Sequence, residues 1–112
     1  MGEALNGLKR TMMCGEPREE HVGQKITLMG WVQRNRKLGG LEFIDLRDKT
    51  GIMQVVFGEE INAKAFEIAK GVKPEYCLAV TGEVVKRESV NENMPTGFVE
   101  LKCESIKVLS ES

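Results

Sequence analysis

The sequence predicts an all-β domain: a small, closed, five-stranded barrel with a single helix between the third and fourth strands. Three observations lead to this fold class. Apolar and polar residues alternate with a period of two in five separate runs. One run, between the third and fourth of these, has helical spacing instead. Gly30 and Gly82 fall inside the first and fourth runs, where strands of a small barrel bend.

The chain begins with a segment of no clear period, residues 1–15, which we predict to be an N-terminal arm. The barrel domain is predicted over residues 16–112, as a single domain, because 112 residues with 41% apolar content furnish one modest core. Glu16–Gly23 is predicted to form a short helical turn closed by its glycine.

The first strand begins at Lys25, and Gly30 in its middle predicts a bend or bulge. Trp31 falls on the face opposite the apolar residues, yet we expect it to fill the core or plug the barrel rather than to serve as a stacking platform. The predicted core face of this strand carries Ile26, Leu28, Gly30 and Val32.

The next two strands form a hairpin. Lys37–Gly40 supplies a turn, Leu41–Arg47 alternates as the second strand, and Ile52–Phe57 makes the third. Asp48–Gly51 joins them as a tight turn whose glycine can take positive φ.

The second half of the chain supplies the helix and two more strands. A helix is predicted over Glu59–Lys70, a fourth strand over Tyr76–Lys86, a polar loop over Arg87–Gly97 and a fifth strand over Phe98–Leu109. The order β-β-β-α-β-β is that of the Greek-key OB-fold, which binds oligonucleotides or oligosaccharides on the face of its second and third strands.

Charge is unevenly distributed along the chain. The formal net charge of -1 argues against a protein that holds duplex DNA by phosphate neutralisation alone. Between residues 25 and 54, however, there are six basic and three acidic residues, which gives a local charge of +3. The positive third of the chain is therefore where we expect a partner.

The cysteines and the hydropathy exclude several classes of protein. Cys14, Cys77 and Cys103 are far apart, with His21 as the single histidine, so we expect free thiols and no structural zinc or other metal. Cys77 and Cys103 are expected to be buried. No apolar run is long enough to span a membrane and no signal peptide is visible, so a soluble, cytoplasmic protein without a membrane partner is expected.

The second and third strands carry the best candidate binding residues. Phe43 points away from Ile44, and Gln54 points away from Val55, so both should lie exposed on the non-core face of one hairpin. A flat ring offers stacking to any base, and an amide both donates to and accepts from a base edge. The alternative is that Phe43 covers a small second hydrophobic cluster and Gln54 is solvated.

Arg34 and Arg36, near the end of the first strand, could contact phosphates or stack on bases. Strict alternation would point both toward the side of Val32, so this role requires a bulge or a fraying strand end. Glu100, early in the fifth strand, could accept the two parallel N–H donors of a guanine, or it could be a solvated strand residue.

Catalytic motifs are not visible in the sequence: there is no nucleophile–base pair, no Gly-x-Gly-x-x-Gly and no Walker loop. We therefore expect a binding module rather than an enzyme. Two alternatives stay open, namely a general single-stranded nucleic-acid binder and an OB-fold protein-interaction module with Phe43 as an exposed anchor.

Four motifs stand out in the sequence: Thr-Met-Met-Cys-Gly-Glu at residues 11–16, Gly-Trp-Val at 30–32, Phe-Ile-Asp-Leu-Arg-Asp at 43–48 and Asn-x-Asn-x-Pro-Thr-Gly at 91–97. The second and third resemble a pattern shared by the aspartate, asparagine and lysine ligases of one subclass of tRNA synthetases. The first and fourth favour aspartate. On these motifs, nearly the whole chain resembles the N-terminal anticodon-binding domain of bacterial aspartyl-tRNA synthetase.

The resemblance implies a role for each residue that matches the family pattern. Phe43 would stack on an anticodon base, Gln54 would read the central uridine, and Arg36, with Arg34, would contact the anticodon backbone or its last bases. Many family members have three consecutive basic residues where this sequence has Arg-Asn-Arg, so the resemblance assigns no contact to Asn35.

The resemblance further implies that Glu100 reads the first-position guanine of a G-U-C anticodon, with Asn91 beside it. The partner would be aspartate tRNA, and Leu38 favours strict specificity for it over the relaxed type. ATP, Mg²⁺ and aspartate would bind to a catalytic domain of the parent ligase, so no cofactor is expected in this chain. Parent ligases of this family are homodimers, whereas the isolated domain is expected to be monomeric.

Overall fold

The structure is a computed structural model, and it describes residues 9–111. It confirms the predicted fold class, a closed five-stranded barrel with one helix. The predicted strands are all present, with ends within one residue of the prediction except for the first, which extends to Leu38. The strands are β1 Lys25–Leu38, β2 Leu41–Asp48, β3 Gly51–Phe57, β4 Cys77–Lys86 and β5 Val99–Ser110; the helix is α1 Ala63–Lys70.

The strands close in the order β1-β2-β3-β5-β4, with β4 pairing back to β1. All pairs are antiparallel except β3 with β5, which is parallel. Each strand contributes alternate apolar side chains to one interior, as a filled small barrel requires. The fully buried interior includes Leu28, Val32, Ile44, Leu46, Met53, Val55, Phe57, Leu78, Val84, Val99 and Leu101.

The helix begins later than its sequence pattern predicts. Helical spacing predicts a start at Glu59, but Ile61 and Asn62 both donate backbone hydrogen bonds to the carbonyl of Gly58 in a preceding turn. The Asn62 side chain then accepts from the backbone N–H of Ala65 at 2.8 Å, the geometry of a helix N-cap. A capping asparagine therefore sets the start at Ala63.

The bulge of β1 lies at Gln33 and not at Gly30, where the sequence predicts a bend or bulge. Val32 pairs with Leu46 and Arg34 with Asp45, so Gln33 is the extra residue. Gly30 instead allows the close approach of β2, because a Cβ at this position would overlap the carbonyl oxygen of Arg47. The predicted bend at Gly82 coincides with a register shift against β5.

The segment before the barrel lies against it where it is described. Residues 1–8 of the predicted arm lie outside the described residues. Thr11 exchanges hydrogen bonds with Thr27 of β1, and Cys14 is fully buried in the core. The helical turn predicted over Glu16–Gly23 is a single 3-10 turn at Glu19–His21.

The cysteines are free thiols, of which Cys14 and Cys103 are buried. Burial raises the pKa of both thiols, that of Cys103 to about 12, so neither is a thiolate at neutral pH. The prediction that Cys77 is buried is wrong: it is the first residue of β4 and is half-buried.

Across residues 9–111, no helix is long and apolar enough to cross a membrane.

The Asp48 carboxylate ties the N-terminal segment to the β2–β3 turn. It accepts hydrogen bonds from the backbone N–H of Cys14 at 2.8 Å, and from the backbone N–H and hydroxyl of Thr50 at 2.8 and 2.6 Å. Burial raises the pKa of Asp48, but these hydrogen bonds together outweigh it, and the pKa is lowered from its ordinary value.

Asp48→Asn is expected to lower the free energy of unfolding by about 1–2 kcal/mol, because one acceptor becomes a donor facing an N–H group. A folded-state pKa below the unfolded one adds stability above the unfolded pKa, which is lost as the pH falls through the folded pKa. The stability difference between the two proteins, measured by urea unfolding, should therefore shrink below about pH 4. Glu92→Gln, in an exposed loop, is the control; equal stability of the Asp48→Asn and unaltered proteins at pH 7 would contradict this role.

Candidate nucleic-acid interface

The bulge at Gln33 decides which way the arginines of β1 point. Beyond it, Arg34 pairs with Asp45 and Arg36 with Phe43. Directly paired residues of antiparallel strands share a face, so both arginines lie on the outer face with Phe43. Without the extra residue they would point toward the side of Val32. The bulge that an outward-facing arginine pair requires is thus present, three residues beyond Gly30.

Asn35, between the two arginines, lies on the opposite face. Its amide nitrogen donates to the carbonyl oxygens of Ala69 at 3.0 Å and Val72 at 2.9 Å, at the C-terminal end of α1. The side chain therefore joins β1 to the helix and is not part of the outer face.

A chain of polar side chains crosses the outer face from β1 to β5. Arg36 donates from one nitrogen to Asp45 and to the amide oxygen of Gln54, both at 3.2 Å. The amide nitrogen of Gln54 donates to Glu100 at 2.7 Å. We call Arg36, Asp45, Gln54 and Glu100 the polar network. It brings together three residues that sequence reasoning predicted separately.

Gln54 is on the predicted face but not exposed as predicted: 9% of its surface is accessible, because Arg36 and Glu100 cover it. The two hydrogen bonds fix which end of the amide faces which neighbour. One N–H and one lone pair of the amide remain, since an amide has two donors and two acceptor positions. The side chain is thus oriented before any ligand arrives.

Phe43 is half-buried beside this network, with the Arg36 guanidinium carbon 5.8 Å from the ring centroid. That distance is within the range of a cation–π contact. The buried Nε of Arg36 has no hydrogen-bond partner in the part of the chain that the structure describes. Ring and guanidinium together form a flat surface of the kind on which bases stack.

An open groove of about 460 Å³ runs over Phe43, Gln54 and Glu100, bounded by Leu38 and Leu41 on one side and by residues 86–89 on the other. Among the groove residues that sequence reasoning missed is Arg87, which it assigned to the polar loop. Burial lowers the pKa of Arg87, while the charges of Glu100 and Asp45 act in the opposite direction. The position of Arg87 in the sequence, directly after the fourth predicted strand, was the signal that could have placed it beside β5 at the groove.

Asn91 and Trp31 lie outside the polar network and are not among the residues that line the groove. Asn91 is in the β4–β5 loop, and its side-chain oxygen accepts from the backbone N–H of Asn93 at 3.0 Å, within the loop. Trp31 does not fill the core: it lies on the outer face, paired with Arg47 and 38% exposed.

Comparison with known proteins agrees with this architecture. A family model for the OB-fold nucleic acid binding domain, tRNA anti-codon type, matches residues 26–109. The chain is 93% identical, over all of its 112 residues, to part of the aspartate–tRNA ligase of Clostridium botulinum (strain Alaska E43 / Type E3). It spans 19% of that relative's length.

Two solved structures are similar over most of the chain. The asparaginyl-tRNA synthetase of Pyrococcus horikoshii matches 92% of this chain and 23% of its own, with a TM-score of 0.78 and 32% identity. The aspartyl-tRNA synthetase of Entamoeba histolytica matches 95% of this chain and 22% of its own, with a TM-score of 0.81 and 26% identity. With a family model matched over most of its length, the chain belongs to the tRNA anti-codon family of OB-fold nucleic acid binding domains.

Proposed function

We propose that this domain recognises the G-U-C anticodon of aspartate tRNA for an aspartate–tRNA ligase. The observation that carries the proposal is the Gln54 amide, held between Arg36 and Glu100 under the groove and beside the Phe43 ring. An oriented amide, a carboxylate and a flat ring in one groove supply hydrogen bonding and stacking to successive unpaired bases.

Each residue has a role that its chemistry supports. Phe43 stacks on a base, Gln54 offers its remaining N–H and lone pair to the central uridine, and Glu100 accepts from the N–H donors of the first-position guanine. Arg36 and Arg34 supply positive charge for the phosphates. Asn91 lies in the loop that enters β5, and its contact with RNA requires that loop to close over the groove.

The rest of the reaction belongs to the parent ligase. ATP, Mg²⁺ and aspartate are bound by the catalytic domain of that protein, and this domain contributes tRNA affinity and anticodon discrimination without a cofactor of its own. The parent acts as a homodimer in the cytoplasm and is specific for aspartate tRNA, while the isolated domain is monomeric.

The direct test is a fluorescence-anisotropy titration of the domain with a labelled RNA stem-loop that carries G-U-C in its loop. The matched control is the same stem with the loop bases scrambled, at equal salt concentration. We expect the G-U-C loop to bind more tightly by at least about tenfold, as expected when several base contacts of 1–3 kcal/mol each are lost.

The outcomes separate the competing functions. Equal affinity for both loops, falling steeply with salt, would indicate a general single-strand binder. Absence of binding to either loop would favour a protein-interaction module, in which Phe43 is an anchor for another protein. Either result would contradict anticodon recognition by this domain.

A further inference from the structure

The outer face continues past the polar network to a second cluster, at the β2–β3 turn end of the same strands. Trp31 pairs with Arg47 across β1 and β2, and Arg47 pairs with Ile52 across β2 and β3, so the three side chains share the outer face. Gln33, the bulge residue, accepts a hydrogen bond from Arg47 at 2.6 Å. We call Trp31, Gln33, Arg47 and Ile52 the Trp31 patch.

The tryptophan of this patch lies exposed on the outer face, outside the filled barrel interior. Its exposed fraction is 38%, among the larger values for apolar side chains of the described residues. An exposed indole on an outer sheet face, paired across the strands with an arginine, offers a surface on which an unpaired base can stack. The neighbouring recess, about 210 Å³ in volume, is lined in part by Arg47, Ile52 and Met94.

The charges of this end of the face suit a phosphate. Among residues 9–111, the ion pairs include neither Arg34 nor Arg47. The nearby acids are already engaged: Asp45 pairs with Arg36, and Asp48 accepts from Cys14 and Thr50. Within the described part of the chain, both guanidinium groups therefore lack an ion-pair partner, which favours a phosphate.

The distance along β2 separates this patch from the anticodon groove. Phe43 and Arg47 are four residues apart, roughly 13 Å at the rise of an antiparallel strand. One base cannot contact both, so an occupant of the Trp31 patch is a different nucleotide of the same strand. Arg34, between them on the outer face, provides a continuous positive path.

We propose that the Trp31 patch is a second nucleotide subsite, which stacks one unpaired base outside the anticodon triplet on Trp31 and binds its phosphate with Arg47. The proposal rests on the RNA-binding function proposed above and extends it from three nucleotides to a longer stretch of the single strand. A second protein chain on the same patch is excluded if the test below gives the expected result.

The test uses the single tryptophan of the chain as its reporter. A heptanucleotide with G-U-C in the centre is added to the unaltered chain, and the matched strand has the same backbone but abasic sites at all four flanking positions. Stacking of a base on Trp31 is expected to quench its fluorescence with the first strand and to leave it unchanged with the second. Identical fluorescence with both strands would overturn the proposal.

Two variants of Trp31 test the same subsite by the affinity of the chain for RNA. Trp31→Ala is expected to weaken binding of the full heptanucleotide about five- to tenfold, the loss of one stacked base, and to leave the affinity for the abasic strand unchanged. Trp31→Phe, which keeps a ring, should restore most of the loss, and a thermal melt of each variant confirms that it folds.

Failure of this proposal is distinguishable from failure of the anticodon proposal. If Trp31→Ala binds the heptanucleotide as tightly as the unaltered chain while Phe43→Ala does not, the subsite is wrong and anticodon binding stands. If neither substitution changes affinity, the outer face is not the RNA-binding surface and both proposals are wrong.

Discussion

Phe43→Ala is expected to weaken binding of the G-U-C stem-loop by about 5- to 150-fold, which corresponds to the 1–3 kcal/mol typical of one base stacked on an aromatic ring. The ring lies at the centre of the groove, with Gln54 and Glu100 on one side and the Arg36 guanidinium 5.8 Å away. Its removal takes away the stacking surface and the cation–π contact with Arg36. Anisotropy titration measures the loss.

The controls separate stacking from folding. Phe43→Tyr keeps a flat ring, so its affinity should stay within about twofold of the unaltered chain. Ile68→Ala removes an exposed apolar side chain from α1, outside the groove, and should bind normally. If Phe43→Ala retains full affinity while all three variants melt at similar temperatures, Phe43 is a cover for Val56, its buried partner on β3, and not a base platform.

The fold could be predicted from the sequence because strand alternation and turn glycines are local signals. The β2–β3 hairpin is the clearest case: its period of two orients Ile44 and Phe43 to opposite faces, and Gly51 takes the positive φ that its turn requires. The start of α1 was missed because helical spacing extends through the turn before it, while the asparagine that caps the helix is a competing local signal.

The candidate site could be predicted only in part. The alternation of side chains along β2 and β3 places Phe43 and Gln54 on one face. The direction of Arg34 and Arg36, however, depends on the bulge at Gln33, and no glycine at that position marks the bulge in the sequence. The hydrogen bonds of the polar network join residues up to 46 positions apart, from Gln54 to Glu100. Such contacts arise from barrel closure, which no periodicity within a single strand describes.

The orientation of Trp31 is a case in which two signals in the sequence disagree. An apolar indole predicts burial, and strand parity predicts the outer face. The alternation of side chains along the strand gives the correct face here. Leu28 and Val32 already occupy the interior positions of β1, so a large ring could not be added there without overpacking. An aromatic residue kept outside a filled core is the observation that points to a binding role.

Glu100→Gln is expected to reverse the preference of the domain for the first anticodon base. The glutamine oxygen can still accept from Gln54, so the polar network is retained. The second carboxylate oxygen, however, becomes an N–H donor, which opposes one of the two donors of guanine and matches the acceptor on the same edge of adenine. Binding of G-U-C should weaken by about 1–3 kcal/mol, while binding of A-U-C improves.

The measurement is the ratio of affinities for G-U-C and A-U-C stem-loops, because a ratio is insensitive to the loss of a negative charge near phosphates. Glu104→Gln, on the same strand and paired with Lys25, removes an equal charge outside the groove and should leave the ratio unchanged. If Glu100→Gln raises affinity for both loops equally, the carboxylate only repels phosphate and does not read the base. A change in the ratio with Glu100→Gln alone assigns the first-position contact to Glu100, since Coulombic repulsion does not distinguish one purine from the other.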